Sequence, residues 1–159
     1  MSASPPEMSL EDRARRIRLV LFDVDGVLTD GVVVMHADGS ESKGFHIKDG
    51  AAIVWAQRAG VQVGLLSARS SGATTHRAAQ LAIRIVQQGV TSKASAFDTI
   101  LKSSGLTEDA VCYMGDDLLD LPVLERAGLS APLLTPRGRC ASGCTGSARQ
   151  QAGAAPRAN

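Results

Sequence analysis

The run Leu19-Val20-Leu21-Phe22 stops at Asp23-Val24-Asp25-Gly26, and this junction constrains the fold more than any other stretch. A short apolar run of branched and aromatic residues, bounded by polar ones, reads as a buried strand. Two carboxylates one residue apart at its end then read as acids delivered to a sheet edge. In an open parallel sheet, ligands bind outside the carboxyl ends of the strands. Residues one apart on an extended chain point to opposite sides. Asp23 and Asp25 can therefore take different roles at one site if the chain bends after Asp23, and Gly26 permits such a bend. The bland alternative is a turn with two solvated aspartates, because turns favour Asp and Gly.

The same pattern recurs along the chain. Residues 17–22, 61–66, 83–86 and 111–114 read as strands. Helical stretches are expected over 51–59, from Ser70 or Ser71 to about Leu81, from Thr91 or Ser92 to about Ser103, and from Asp117 to about Ala127. Ser and Thr supply the caps, and Gly60 and Gly105 the stops. Strands alternating with helices predict an α/β fold with a mainly parallel central sheet. Between the strand-like runs 32–35 and 42–47, Ala37-Asp38-Gly39-Ser40 marks a hairpin. Residues 1–16 read as a flexible lead, and Arg13, Arg15, Arg16 and Arg18 as a solvated face rather than a nucleic-acid patch. From Leu133 to Asn159 Pro, Gly, Arg, Ser and Ala dominate, which reads as a disordered tail. One folded domain, 17–132, lies between them.

A chain of 159 residues can bury a real core as one domain. Its formal charge of +1 gives no bias toward polyanions or membranes, and 3% aromatic residues argue against base-stacking surfaces. No apolar run has the length of a membrane span or a signal-peptide core, so a cytoplasmic protein without nucleic-acid or membrane partners is expected. Cys112, Cys140 and Cys144 form no disulfide framework, which fits a reducing compartment. Cys112 lies in a strand-like run and reads as core, and Cys140 with Cys144 lack the second pair a structural zinc needs.

Four polar groups follow strand ends in order: Asp23 with Asp25, Ser67, Lys93, and Asp116 with Asp117. A parallel sheet would collect them at one edge. Phosphoryl transfer needs such a set: a carboxylate to attack phosphorus and a second to give and take a proton. A hydroxyl and an ammonium hold the phosphoryl oxygens, and oxygen ligands hold a hard cation. His36, His46 and His76 have no partner spacing and read as surface or packed residues.

These motifs resemble those of the haloacid dehalogenase-like phosphatases. Asp23-Val24-Asp25-Gly26-Val27-Leu28-Thr29-Asp30-Gly31 is similar to the nucleophile motif, and Ser67, Lys93 and Gly115-Asp116-Asp117 to the other three. Phe45-His46-Ile47-Lys48-Asp49-Gly50 and Gly115-Asp116-Asp117-Leu118-Leu119-Asp120-Leu121-Pro122 narrow the resemblance to the 3-deoxy-D-manno-octulosonate 8-phosphate (KDO 8-phosphate) phosphatases. The resemblance implies a Rossmann-like three-layer fold with a small β-hairpin flap and no separate cap domain. It implies a Mg²⁺-dependent phosphatase acting on a small-molecule sugar-acid phosphate, KDO 8-phosphate first, through an aspartyl phosphate. A sialic-acid-type 9-phosphate or a general sugar phosphate is the alternative substrate, and a non-catalytic oligomerisation module the alternative class.

By the same resemblance Asp23 would be the nucleophile and a metal ligand. Asp25 would be the general acid/base, with its carbonyl on the metal, and Asp116 the second side-chain ligand. Ser67 and Ala68 would bind the phosphoryl group, and Lys93 would neutralise it and hold Asp23. Asp117 and Asp120 would support these groups from behind, and Lys48 would border the substrate. Members without a cap form homotetramers, and the apolar run Val32-Val33-Val34 suits burial in one. The Gly-rich closing segment of such enzymes has no counterpart in 139–149.

Overall fold

The computed structural model describes residues 8–133. Leu19–Phe22 forms the central strand, β1, with Leu19 and Leu21 fully buried on one face. It pairs in parallel with β4 (Gln62–Leu66) on one side and β6 (Val111–Gly115) on the other. β5 (Ile85–Gln87) and β7 (Leu129–Pro132) complete a parallel sheet of order β5-β4-β1-β6-β7. The connections run outward on one side of β1 and then cross to the other. The crevice of the sheet therefore opens beyond the carboxyl end of β1.

Helices cover both faces, giving three layers. α2 (Ile47–Arg58) and α3 (Gly72–Gln80) place Ile53 and Ala78 against Val63 and Leu65. On the opposite face α4 (Lys93–Ser104) and the short α5 (Leu121–Leu124) pack Phe97, Ile100, Val123 and Leu124 on Leu19, Leu21 and Tyr113. Truncating a fully buried Phe97 to Ala would cost about 3–5 kcal/mol. Gly64 makes room for this packing: a Cβ there would stand 2.6 Å from Leu21 Cδ2. The sequence-stop logic holds at α4, which Ser92 caps by accepting from Ser95 N–H and which ends at Gly105 in the left-handed region.

The hairpin is smaller than the strand-like runs that flank it. Only β2 (Val34–Met35) and β3 (Glu41–Ser42) pair, antiparallel, with Val34 opposite Ser42. Its turn is closed by Asp38, whose carboxylate accepts from Ser40 N–H and Oγ–H. No cap domain interrupts the described residues.

Several boundaries differ from the sequence expectation. Residues 10–16 of the expected lead form a helix, α1 (Leu10–Arg16), because Ser9 accepts from Asp12 N–H and acids occupy the first turn. α2 begins four residues before Ala51, because the His46 side chain caps it by accepting from Lys48 N–H. The expected helix to Ala127 is instead a 3₁₀ turn, Leu118–Asp120, followed by α5, which ends at Leu124. β7 has no counterpart in the expected strands. No described helix is long and apolar enough to cross a membrane. The expectations for residues 1–7, for the tail beyond Leu133, and for Cys140 and Cys144 lie outside the described residues.

Candidate active site

β1 delivers Asp23 into the crevice. Its carboxylate is buried, with Oδ1 accepting from Val24 N–H at 2.7 Å. Oδ2 lies 2.9 Å from Lys93 Nζ. Lys93 is the first residue of α4, and its side chain is 3% exposed, so the ammonium is committed to the interior. On its other side it reaches Asp120 Oδ1 at 2.5 Å. Asp120 is fully buried and saturated: Oδ1 also accepts from the Tyr113 hydroxyl, and Oδ2 accepts from Asp116 N–H at 3.1 Å and Asp117 N–H at 3.0 Å. Burial, then the Asp120 charge, pushes the Tyr113 phenol up, which keeps it a donor. Burial pushes the Asp23 carboxyl from 3.8 up to about 6, against the pull of Lys93.

Asp116 enters from the end of β6. Asp23, Asp116 and Asp120 each offer an oxygen within 4.8 Å of the others. Burial, then the charges of Asp120 and Asp117, raises the Asp116 carboxyl. Its Oδ1 is buried without a hydrogen-bond partner. Gly26 is the residue that lets it approach: a Cβ there would lie 2.0 Å from Asp116 Oδ2, and the backbone at φ +92° is unfavourable for other residues. Asp120 has its lone pairs occupied, so Asp23 and Asp116 are the pair left open. An all-oxygen set with an orphaned buried carboxylate oxygen fits a hard divalent cation such as Mg²⁺.

Asp25 turns away from this cluster. The chain bends after Asp23, where Val24 C=O accepts from the N–H groups of Val27, Leu28 and Thr29. Thr29 Oγ1 closes the loop by accepting from Gly26 and Gly31 N–H. The Asp25 carboxylate meets the hairpin, where Lys43 Nζ stands 2.7 Å from Oδ1 and donates to Oδ2 at 3.0 Å. Arg69 Nε is 3.7 Å from Asp25, and its Nη2 donates to Glu41 at 3.0 Å. A hydrogen bond from Ser71, then the charges of Lys43 and Arg69, holds the Glu41 carboxyl below the usual range.

The remaining expected residues fall around this centre. Ser67 is buried at the end of β4, with Oγ accepting from Arg69 N–H, and half-buried Ala68 follows it. Asp117 is exposed and caps the 3₁₀ turn through Leu118 N–H. Lys48 is exposed at the start of α2, in a hollow it shares with Asp30, Phe45 and His46, apart from the carboxylate cluster. Lys43, Glu41 and Tyr113 received no role from the sequence. One signal was available for the first two: they sit two apart on the second hairpin arm and so share a face.

Comparison with known proteins bears on this arrangement. No family model matches the chain. It is 37% identical over 139 residues to the 3-deoxy-D-manno-octulosonate 8-phosphate phosphatase of Escherichia coli (strain B / BL21-DE3), covering 84% of this chain and 74% of that protein. The crystal structure of the phosphatase of that name from Yersinia pestis superposes with a TM-score of 0.73 at 36% identity, covering 74% of this chain and 64% of that one. The Moraxella catarrhalis enzyme, solved in complex with a magnesium ion, a phosphate ion and a KDO molecule, superposes with a TM-score of 0.71 at 34% identity, covering 73% of this chain and 67% of that one.

Proposed function

Because the chain belongs to the 3-deoxy-D-manno-octulosonate 8-phosphate phosphatases of the haloacid dehalogenase superfamily, we propose that it is a Mg²⁺-dependent phosphatase that hydrolyses KDO 8-phosphate to KDO and phosphate. One observation carries this reading above the others: a buried lysine fixes a buried aspartate at the switch point of the sheet, beside a second carboxylate with an unpartnered oxygen.

The chemistry follows from what each group can do. The Asp23 carboxylate attacks phosphorus and forms an acyl phosphate as the bond to the sugar oxygen breaks. Asp25 in its acid form gives that oxygen a proton, so the sugar leaves as a neutral alcohol. Asp25 then takes a proton from water, whose oxygen attacks the acyl phosphate and restores Asp23. Lys93, anchored by Asp120, offsets charge on the transferring group and keeps Asp23 in line. Ser67, with the Ala68 backbone beside it, would hold a phosphoryl oxygen at the end of β4. A cation held by Asp23, Asp116 and the Asp25 carbonyl would supply further charge stabilisation. Asp117 supports the turn that carries Asp116, and Lys48, which stands apart from the carboxylate cluster, would border the sugar part of the substrate rather than the phosphoryl group.

The family's assembly belongs to the same reading. The hairpin exposes Val32, Val34 and Met35, each more than half accessible in the single chain, which supports burial against other subunits in a homotetramer. Sedimentation at micromolar concentration should return four chains. The activity is tested by phosphate release from KDO 8-phosphate, a sialic-acid-type 9-phosphate and simple sugar phosphates, with Mg²⁺ and with excess chelator. Asp23→Asn should abolish release, and trapped phosphoryl label should map to Asp23. Full turnover in chelator, label on Ser67, or no turnover of any ester would each overturn part of the reading.

A further inference from the structure

Lys43 is the least expected group at the site. Its side chain is fully buried although it sits on a small surface hairpin. An ammonium is strongly hydrated, and burying one costs several kcal/mol unless carboxylates surround it. Here the surroundings are Asp25, contacted through both oxygens, and Glu41 at 4.0 Å. Glu41 is in turn tied to Arg69, so the flap is pinned to the β4–α3 loop as well as to the loop after β1. Two carboxylates and two cations form one closed set across three segments.

The exposures divide the two cations. Arg69 is half exposed and open to solvent, whereas Lys43 is shut in at 0%. A ligand cannot reach Lys43 Nζ without displacing the hairpin. Its nearest partner is Asp25, at 2.7 and 3.0 Å, and among the described residues that carboxylate has no other side-chain cation closer than Arg69 at 3.7 Å. Without Lys43, the Asp25 carboxylate would keep only the half-exposed Arg69, at 3.7 Å, among the described residues.

We infer that Lys43 is a positioning residue for Asp25: the hairpin flap carries it inward to hold the acid/base carboxyl in the orientation that protonates the leaving sugar oxygen. The inference rests on the reading of Asp25 as that acid/base. It separates Lys43 from Lys93, which holds the nucleophile, and from groups that bind substrate directly.

The consequence depends on the leaving group. An alkyl phosphate such as KDO 8-phosphate needs a proton on its departing oxygen, whereas p-nitrophenyl phosphate expels a stable phenolate and needs little help. A misplaced acid should therefore damage only the first, as read by kcat/KM, which reports the steps up to departure. Misplacement of a catalytic group by about 1 Å costs on the order of 100-fold, so Lys43→Met should lose about that on KDO 8-phosphate and only about two- to threefold on the aryl ester. Lys43→Met in an Asp25→Asn background should lose nothing further on either ester, since the lysine acts through Asp25. The Ki for inorganic phosphate should be unchanged.

Lys43→Gln, which keeps a donor, provides a second variant if Lys43→Met does not fold, and it should fall between Met and the wild type. Equal losses on the two esters, additive losses in the double variant, or a weakened Ki for phosphate would overturn the inference and leave the phosphatase reading intact. A wild type that turns over neither ester, or an Asp25→Asn variant that loses both equally, would overturn the role of Asp25 and the inference with it.

Discussion

Protons and a divalent cation should compete for the Asp23–Asp116 pair, and the competition can be sized from Asp23 alone. Burial places the Asp23 carboxyl at about 6 in the folded, cation-free chain. A cation needs the ionised form, so binding below that value must first release a proton. At pH 7 the group is about nine-tenths ionised and at pH 5 about one-tenth, so apparent Mg²⁺ affinity should fall about tenfold, or about 1.4 kcal/mol, across that interval. Asp116 is raised as well and adds in the same direction. Calorimetric titration of Mg²⁺ at pH 5, 6 and 7, in buffers of different ionisation enthalpy, reads both the affinity and the proton released. Asp23→Asn should bind more weakly and lose most of the pH dependence. A wild-type affinity that stays flat from pH 5 to pH 7, with no proton released, would refute the argument.

The same group sets a sign for stability. The folded value of Asp23 lies above its unfolded value of 3.8, so the cation-free folded chain holds a proton that the unfolded chain gives up. That contribution is fully present below pH 3.8 and is lost as pH rises through about 6. The gap corresponds to about 3 kcal/mol, of which about half disappears between pH 5 and pH 8. Added Mg²⁺ should therefore raise the Tm more at pH 8 than at pH 5.

Three further outcomes follow from particular contacts. Asp120→Ala strands Lys93 beside Asp23 and leaves Tyr113 and two backbone N–H groups unpaired, so urea unfolding should show a loss of about 3–5 kcal/mol. Gly26→Ala drives a Cβ to 2.0 Å from Asp116 Oδ2, so the Mg²⁺-induced rise in Tm should disappear even where the chain still folds. Cys112 is buried and its thiol is pushed up to about 11 by that burial, so mass-mapped alkylation at pH 8 should leave it unmodified until the chain is unfolded.

The parts of the site carried by strand ends were legible in the sequence. In a parallel sheet every carboxyl end faces one edge, so the order of apolar runs was enough to expect Asp23, Lys93 and Asp116 near one another, and Ser67 at the end of the neighbouring strand. The hairpin was legible as a turn but not as a contact. Lys43 meets Asp25 18 residues away, and that depends on the angle at which the hairpin folds back, which no local period encodes. β7 is not legible in the sequence because Leu129-Ser130-Ala131-Pro132 carries almost no strand propensity. It is held by its register with β6, Cys112 to Leu129 and Gly115 to Pro132, and so by tertiary context. α2 starts four residues before the stretch its sequence marks, because a histidine cap does not stand out as a Ser or Asp cap does, and the preceding residues continue the hairpin pattern.

The carboxylates show where residue type stops being informative. Asp23, Asp116 and Asp120 are the same side chain within one small volume, yet each has different surroundings. Asp120 is surrounded by donors, an ammonium, a phenol and two backbone N–H groups, and has nothing left to offer a ligand. Asp23 shares one ammonium and one N–H and keeps lone pairs on a buried, raised carboxyl. Asp116 has a buried oxygen with no partner. The three carboxylates differ in how many donors surround each oxygen, a difference that the count of acids in the motif does not carry. That difference depends on Tyr113 and on the N–H groups of the turn after β6, neither of which could be weighed before the chain was folded.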